Sequence, residues 1–285
     1  QRRGGKGVTG ADTKEEDFLE ELFVASTHAD LLFFTNFGRV FWLKGYQVPE
    51  AGRYARGKAL ANVLKFQEGE GVRASIAVKK FKADSWLLMA TRAGNVKRIA
   101  ITEFGNPLSR GVRAINIRKG DELIGVSQSD GSREVVLATA QGKAIRFREK
   151  QLRPQGRAAG GVRGIRLAKG DRVVGETVTG AKGTLLTVTE YGYGKRTPLP
   201  QYRVTGRGGK GIVNLKVTDR TGPVVGLLRV EDEDEVMLTT AKGIFLRSKV
   251  KDVRVIGRNA QGVHLIRLDE GDKLVAAARL APEDA

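Results

Sequence analysis

The sequence repeats itself, and the repeat limits what the chain can fold into more than any other feature. Five stretches, LLFFTNFGRVFWL, LLMATRAGNVKRIAI, VVLATAQGKAIRF, LLTVTEYGYGKRT and VMLTTAKGIFLR, each read as two apolar-rich segments joined by a tight turn. Each places a threonine three residues before the turn glycine, at Thr35, Thr91, Thr139, Thr189 and Thr240. The glycines Gly38, Gly94, Gly142, Gly192 and Gly243 lie 56, 48, 50 and 51 residues apart. A glycine between two segments of period two predicts a β-hairpin, because glycine takes positive φ at little cost.

Each hairpin leads through a basic, glycine-containing loop into a second pattern: ARGKALANV, SRGVRAINI, AGGVRGIRL, RGGKGIVNL and AQGVHLIRL. Three of these then reach a turn of the type KGDELIGV, KGDRVVGE or EGDKLVAA. The opening QRRGGKGV aligns with GRGGKGIV at 206–213, so the first unit shows only its second half. Five full units plus one half, each of ~50 residues and four short strands, predict an all-β, propeller-like single domain over residues 1–285. The opening without methionine, in the middle of a motif, reads as a piece of a longer protein. Only DTKEEDFLEELF at 12–23 has helical spacing, with Phe18, Leu19, Leu22 and Phe23 on one face; a linker entering a strand is the other reading.

Lys and Arg number 50 against 32 acids, a formal net charge of +18, which predicts a polyanionic partner. No apolar run approaches the ~20 residues of a membrane span, and no signal peptide pattern opens the chain. Cysteine is absent, which removes disulfides, thiolate nucleophiles and Cys-ligated zinc. Four residues after the turn glycines stand Trp42, Arg98, Arg146, Arg196 and Arg247, flanked by Lys44, Lys97, Lys143, Arg148, Lys195 and Lys249. The loops add Arg56, Lys58, Arg110, Arg113, Arg157, Arg163, Arg207 and Lys210, joined by Arg2, Arg3 and Lys6. Repeated in phase, these cations are expected to form a continuous stripe around the outside. The acidic runs EEDFLEE at 15–21 and EDEDE at 231–235 fall between units, away from it.

Aromatics make up only 6% of the chain and barely enter the basic loops, which argues against stacking on single strands. Nor does a helix stand ready for a major groove. The expected partner is duplex DNA held by its phosphates. His28 and His264 are far apart with no third ligand, so no metal site is expected. No phosphate-cradling G-x-x-x-x-G-K-[ST] occurs. Tyr46, Tyr54, Tyr191, Tyr193 and Tyr202 have no companion carboxylate cluster and are given no catalytic role.

Residues 1–7, QRRGGKG, match the box motif Q-(R/K)-R-G-G-(R/K)-G, and with the T-x-x-G hairpins and the R-G-V-R-A-I and G-G-V-R-G-I loops the chain resembles the C-terminal domain of gyrase A in the type IIA topoisomerases. The resemblance implies a six-bladed β-pinwheel of four-stranded blades, exchanging strands between blades, with the first blade incomplete at its N-terminus. It implies that Gln1, Arg2, Arg3, Gly4, Gly5, Lys6 and Gly7 contact DNA and that the basic perimeter wraps it, directing negative supercoiling. It further implies a chain that is no enzyme alone, whose parent uses ATP and Mg and carries its catalytic tyrosine in a preceding portion. Expected partners are double-stranded DNA, the gyrase A N-terminal catalytic core and gyrase B; the expected location is cytoplasmic and chromosome-associated. Alternatives are a topoisomerase IV-type DNA-binding domain, an RGG-type RNA-binding module and a propeller scaffold for an acidic protein.

Overall fold

The computed structural model describes Val8, Thr9 and residues 26–48, 60–106 and 108–280. The box at Gln1–Gly7, the segment 12–23 and the cations Arg56 and Lys58 lie outside the described residues.

Each repeat begins with the expected hairpin. Strand β1 is Val8–Thr9, and the first full unit holds β2 (Asp30–Thr35), β3 (Arg39–Lys44) and β4 (Val72–Val78). The second holds β5 (Trp86–Thr91), β6 (Asn95–Ala100), β7 (Val112–Arg113) and β8 (Leu123–Ser129), and the third β9 (Glu134–Thr139), β10 (Lys143–Arg148), β11 (Val162–Arg163) and β12 (Val173–Thr179). The fourth holds β13 (Thr184–Thr189), β14 (Tyr193–Pro198), β15 (Val204–Thr205), β16 (Ile212–Val213) and β17 (Val224–Val230). The fifth ends the described chain with β18 (Glu235–Thr240), β19 (Ile244–Lys249), β20 (Val263–His264) and β21 (Leu274–Leu280).

The hairpin turns share one construction. The glycine N–H bonds back to the threonine carbonyl, as Gly142 does to Thr139 at 3.0 Å, and the buried threonine hydroxyl accepts the next N–H in four of the five. Gly38 has φ 73°, and a Cβ there would stand 2.6 Å from the carbonyl oxygen of Ile115 in the following unit. Glycine is needed for both conformation and space. The same glycine's carbonyl accepts N–H groups from Ala114 and Ile115, at 2.8 and 3.1 Å, and Gly94, Gly142 and Gly192 repeat the arrangement with their own following units.

The G-D turns staple the second, third and fifth hairpins from their other side. Asp121, Asp171 and Asp272 each accept, through Oδ1, the backbone N–H of a hairpin-turn residue (Ala93, Gln141 and Lys242) and of the residue that follows the aspartate.

Strand exchange is visible in the sheet orders. β7 of the second unit pairs antiparallel with β3 of the first, and β11 and β20 likewise join β6 and β14 of the units before them. In the third sheet β15 lies parallel and β16 antiparallel to β10, so that sheet has five strands and the other four have four. The last strands of the units, β4, β8, β12, β17 and β21, each pack on the next, and the exchanged strands lie at the opposite edge of each sheet. The sheets are therefore arrayed about these last strands, with the exchanged edges outermost.

The described residues form five sheets, where six blades are implied by the resemblance. β1 joins the outer edge of the fifth sheet: Val8 lies opposite Phe245 and Thr9 opposite Ile244. That register is the same as Ile212 opposite Ala144, two residues past a turn glycine.

Central strands carry the pattern iBBBBB in β2, β5, β9 and β13, buried on both faces because each sheet lies between neighbours. Leu32 and Phe34 pack with Leu87, Met89 and Ile99; Leu88 and Ala90 with Val135 and Leu137. Val136 and Ala138 then meet Leu185 and Leu227, and Leu186 and Val188 meet Val236 and Leu238. Each such valine, leucine, isoleucine, phenylalanine or methionine side chain contributes ~1.5–3 kcal/mol on burial.

Candidate nucleic-acid interface

In four of the five units the position four residues after the turn glycine faces the neighbouring unit, and this overturns the expected outer stripe of arginines. Arg146 is 6% exposed. Its Nη1 donates to the carbonyls of Leu199 and Tyr202, at 2.7 and 3.1 Å, on the 3-10 turn of the next unit, while Nε donates to Glu134 at 2.7 Å. Arg196 is 4% exposed and does the same for the next turn: Nε donates to Val253 at 2.9 Å and Nη1 pairs with Asp232. Trp42 donates its indole N–H to Phe104, the same place in the second unit, at 2.9 Å. Arg98 packs 4.7 Å over the Trp86 ring with Glu149 at 3.9 Å. These residues are clasps between units. Only Arg247 of the set is exposed, paired with Glu235.

Lys97 and Lys195 are also buried, against expectation. Lys97 Nζ donates to the carbonyls of Ala114, Arg157 and Ala159, and Lys195 Nζ to Gly257, Arg258 and the Thr197 hydroxyl. Burial lowers Lys97 to about 8, partly offset by the Glu103 carboxylate, and lowers Lys195 to about 7, with the Arg258 charge adding to the effect. Both hold a loop in place; neither presents charge to solvent.

The other expected cations do reach the outer edge. Arg110, Arg113, Lys143, Arg148, Arg163, Arg207, Lys210 and Lys249 are exposed, and Lys44 is half-exposed and paired with Asp30 at 2.7 Å. They stand on a backbone frame that runs from unit to unit. Asn116 N–H donates to Ala159, Arg166 to Gly209 and Lys216 to Ala260, at 3.1, 2.8 and 3.3 Å. The loops are thus bonded head to tail along the rim at matching positions. Arg207 and Arg258 reinforce this by donating to the carbonyls of Arg163 and Val213, at 3.0 and 2.7 Å.

Two cationic hollows open on this frame. One of about 430 Å³ brings together Arg110, Arg113 and Arg157 beside Leu108. Another, of about 260 Å³, lies between Arg203, Lys210 and the glycines at 206, 209 and 211.

Sequence reasoning missed two exposed columns. Arg153, Arg203 and Arg254 each follow a buried apolar residue (Leu152, Tyr202, Val253) at the end of the 3-10 turn, and their side chains make no hydrogen bond or ion pair among the described residues. Arg166, Lys216 and Arg267 follow the exchanged strands. Within each column the spacing is 50 and 51 residues, so the period that located the hairpins also locates these cations. Among the described residues no three His, Cys, Asp or Glu side chains group as a metal site, and no helix is long and apolar enough to cross a membrane.

The fold and rim define a class: a propeller-like β domain with strand exchange between blades and a phased basic edge. Within that class, the family model described as DNA gyrase C-terminal domain, beta-propeller, matches residues 1–26, 29–79, 85–130, 133–175, 183–231 and 234–281, and the chain belongs to this family. It is 51% identical over 284 residues to the DNA gyrase A protein of Halalkalibacterium halodurans and 46% identical over 281 to that of Salmonella typhimurium. These alignments cover 100% and 99% of the chain but 34% and 32% of the relatives, so the chain spans about a third of their length. A solved gyrase A C-terminal domain superposes with TM-score 0.86 at 25% identity, covering 99% of this chain and 92% of that one. The C-terminal domain of DNA topoisomerase IV superposes with TM-score 0.82 at 25% identity, covering 90% and 81%.

Proposed function

We propose that the chain, as one domain over residues 1–285, binds duplex DNA through its phosphates, bends it and wraps it around the exposed basic rim. In this reading it directs negative supercoiling by an ATP-dependent gyrase in which it works with the gyrase A catalytic core and gyrase B. ATP, Mg and the catalytic tyrosine belong to those other parts, and the place of action is the chromosome in the cytoplasm. The box Gln1–Gly7 and the exposed cations Arg110, Arg113, Arg163, Arg207 and Lys210 carry the contacts.

One observation supports this most: exposed cations recur every ~50 residues on loops whose backbones are bonded in series along the rim, in a chain of the gyrase A C-terminal family. A belt of this kind meets a curved duplex repeatedly without reading base edges. Bending 20–30 base pairs by 40–90° costs ~1–6 kcal/mol, which several phosphate contacts with counterion release offset. The test is to bind the chain to nicked plasmid, seal with ligase, and resolve topoisomers. A shift in linking number that grows with protein and fades with salt is expected. An unchanged linking number at saturating protein removes wrapping.

A further inference from the structure

His264 sits in a rim slot that elsewhere holds arginine. It is the second residue of β20, opposite Tyr193 on β14; the same slot holds Arg113 opposite Arg39 and Arg163 opposite Asn95. All three side chains are exposed. The histidine does not stand alone. Its ring lies 4.0 Å from the Tyr193 ring at an interplanar angle of 37°. Arg220, from the turn that joins β16 to β17, donates its Nε to the Tyr193 hydroxyl at 2.7 Å and lies 5.3 Å from that ring's centroid. Arg267 follows three residues after His264 and is exposed.

The groups that face the imidazole are thus Tyr193, stacked on it, and the guanidiniums of Arg220 and Arg267. Burial and then those two positive charges hold its pKa below the ordinary 6.5, so the free protein carries it neutral at neutral pH. No carboxylate balances the two arginines through a hydrogen bond or ion pair among the described residues. Two guanidiniums with free N–H groups beside a neutral imidazole form a site short of one anion. A phosphate placed there would reverse the field at the imidazole and favour its charged form.

We propose that Tyr193, Arg220, His264 and Arg267 seat one backbone phosphate of the bound duplex, with His264 taking up a proton as the phosphate docks. This rests on the duplex-binding reading above. Arg113 and Arg163 then serve the same slot as permanent cations, and His264 makes the fourth sheet's contact conditional on pH.

The chain has two histidines, so one variant isolates the effect. Anisotropy with a labelled blunt duplex at fixed salt, between pH 8 and pH 6, gives the protons taken up on binding. The wild type should tighten as pH falls, by up to roughly tenfold per unit, and His264→Gln should lose most of that slope. NMR titration of the His264 ring should show its pKa rise on adding duplex, and move little with inorganic phosphate alone. An equal pH slope in His264→Gln and wild type overturns the phosphate seat alone. An equal rise with inorganic phosphate assigns the seat to free anions instead of DNA. Absence of duplex binding by the wild type at low salt overturns the functional reading and this one with it.

Discussion

Arg146 and Arg203, on successive units and meeting at one 3-10 turn, show how differently two arginines can act. Arg146 supplies the missing donors for two carbonyls of a 3-10 turn in the next repeat and neutralises Glu134. Arg203, one residue past that turn, points charge outward and satisfies nothing in the fold. Arg146→Ala should cost ~3 kcal/mol in a urea melt, because it strands a carboxylate and two buried carbonyls. Arg203→Ala should stay within ~0.5 kcal/mol of the parent and lower the slope of log K against log salt by ~0.9, one phosphate's worth. A stable Arg146→Ala would dissolve the clasp. The sequence period placed Arg146 but could not orient it, and it passed over Arg203. The outer hairpin strand is buried on both faces, so alternation gives no outward side, and the direction of Arg146 depends on a neighbour contributed from fifty residues away.

Glu176 carries a second residue-scale consequence. It lies on β12 where the equivalent residues are Val126 and Leu227, accepts the Ser127 hydroxyl at 2.9 Å, and has an Oε1 shielded from solvent without a partner. Burial raises it to about 8 from 4.5, against a smaller lowering by Ser127. Between those values the folded chain holds a proton that the unfolded chain has lost. Its contribution to stability is therefore greatest below pH 4.5 and falls as pH rises toward 8, by up to ~1.4 kcal/mol per unit. Lys97 and Lys195, lowered from 10.5, act with the opposite sign above pH 7. Urea melts between pH 5 and pH 7 should show wild-type stability declining and Glu176→Gln flatter; parallel curves would place the carboxylate in solvent.

At the scale of elements, the hairpins were legible because local chemistry decides them. Threonine, glycine and period two act within seven residues, and all five predicted hairpins form. The exchanged strands were legible only in part. Aligning QRRGGKGV with GRGGKGIV gave the right equivalence, since β1 and β16 share one register, but a two-residue strand carries no signal for which sheet it joins. The six implied blades thus stand against five sheets among the described residues. The joint between hairpin and exchanged strand is testable at Gly192, with φ 78° and a prospective Cβ 2.6 Å from the Ile266 carbonyl oxygen. Gly192→Ala should cost ~2 kcal/mol or more, from backbone strain and displacement of the next unit's edge. Gly156, in the loop between the 3-10 turn and β11 and with nothing within 4 Å of a Cβ, should accept alanine with little change in the same melt.

The whole molecule turns a sequence period into a surface. Series bonding of the loops, Asn116 to Ala159, Arg166 to Gly209 and Lys216 to Ala260, fixes neighbouring rims to one another, so a cation at one position in a repeat recurs along one line. Arg153, Arg203 and Arg254 are the cleanest members, since none of them also holds the fold together. Replacing all three by Ala should leave the thermal midpoint nearly unchanged and lower the salt slope by about 2 to 3. Bending should suffer more than affinity, because a short duplex can still lie on one unit, whereas a bent one needs contacts on several in turn. Energy transfer between dyes on the ends of a duplex, followed at matched occupancy, reports that difference. A triple variant that bends the duplex as fully as the parent, with an unchanged salt slope, would mean that DNA follows a different line across the rim.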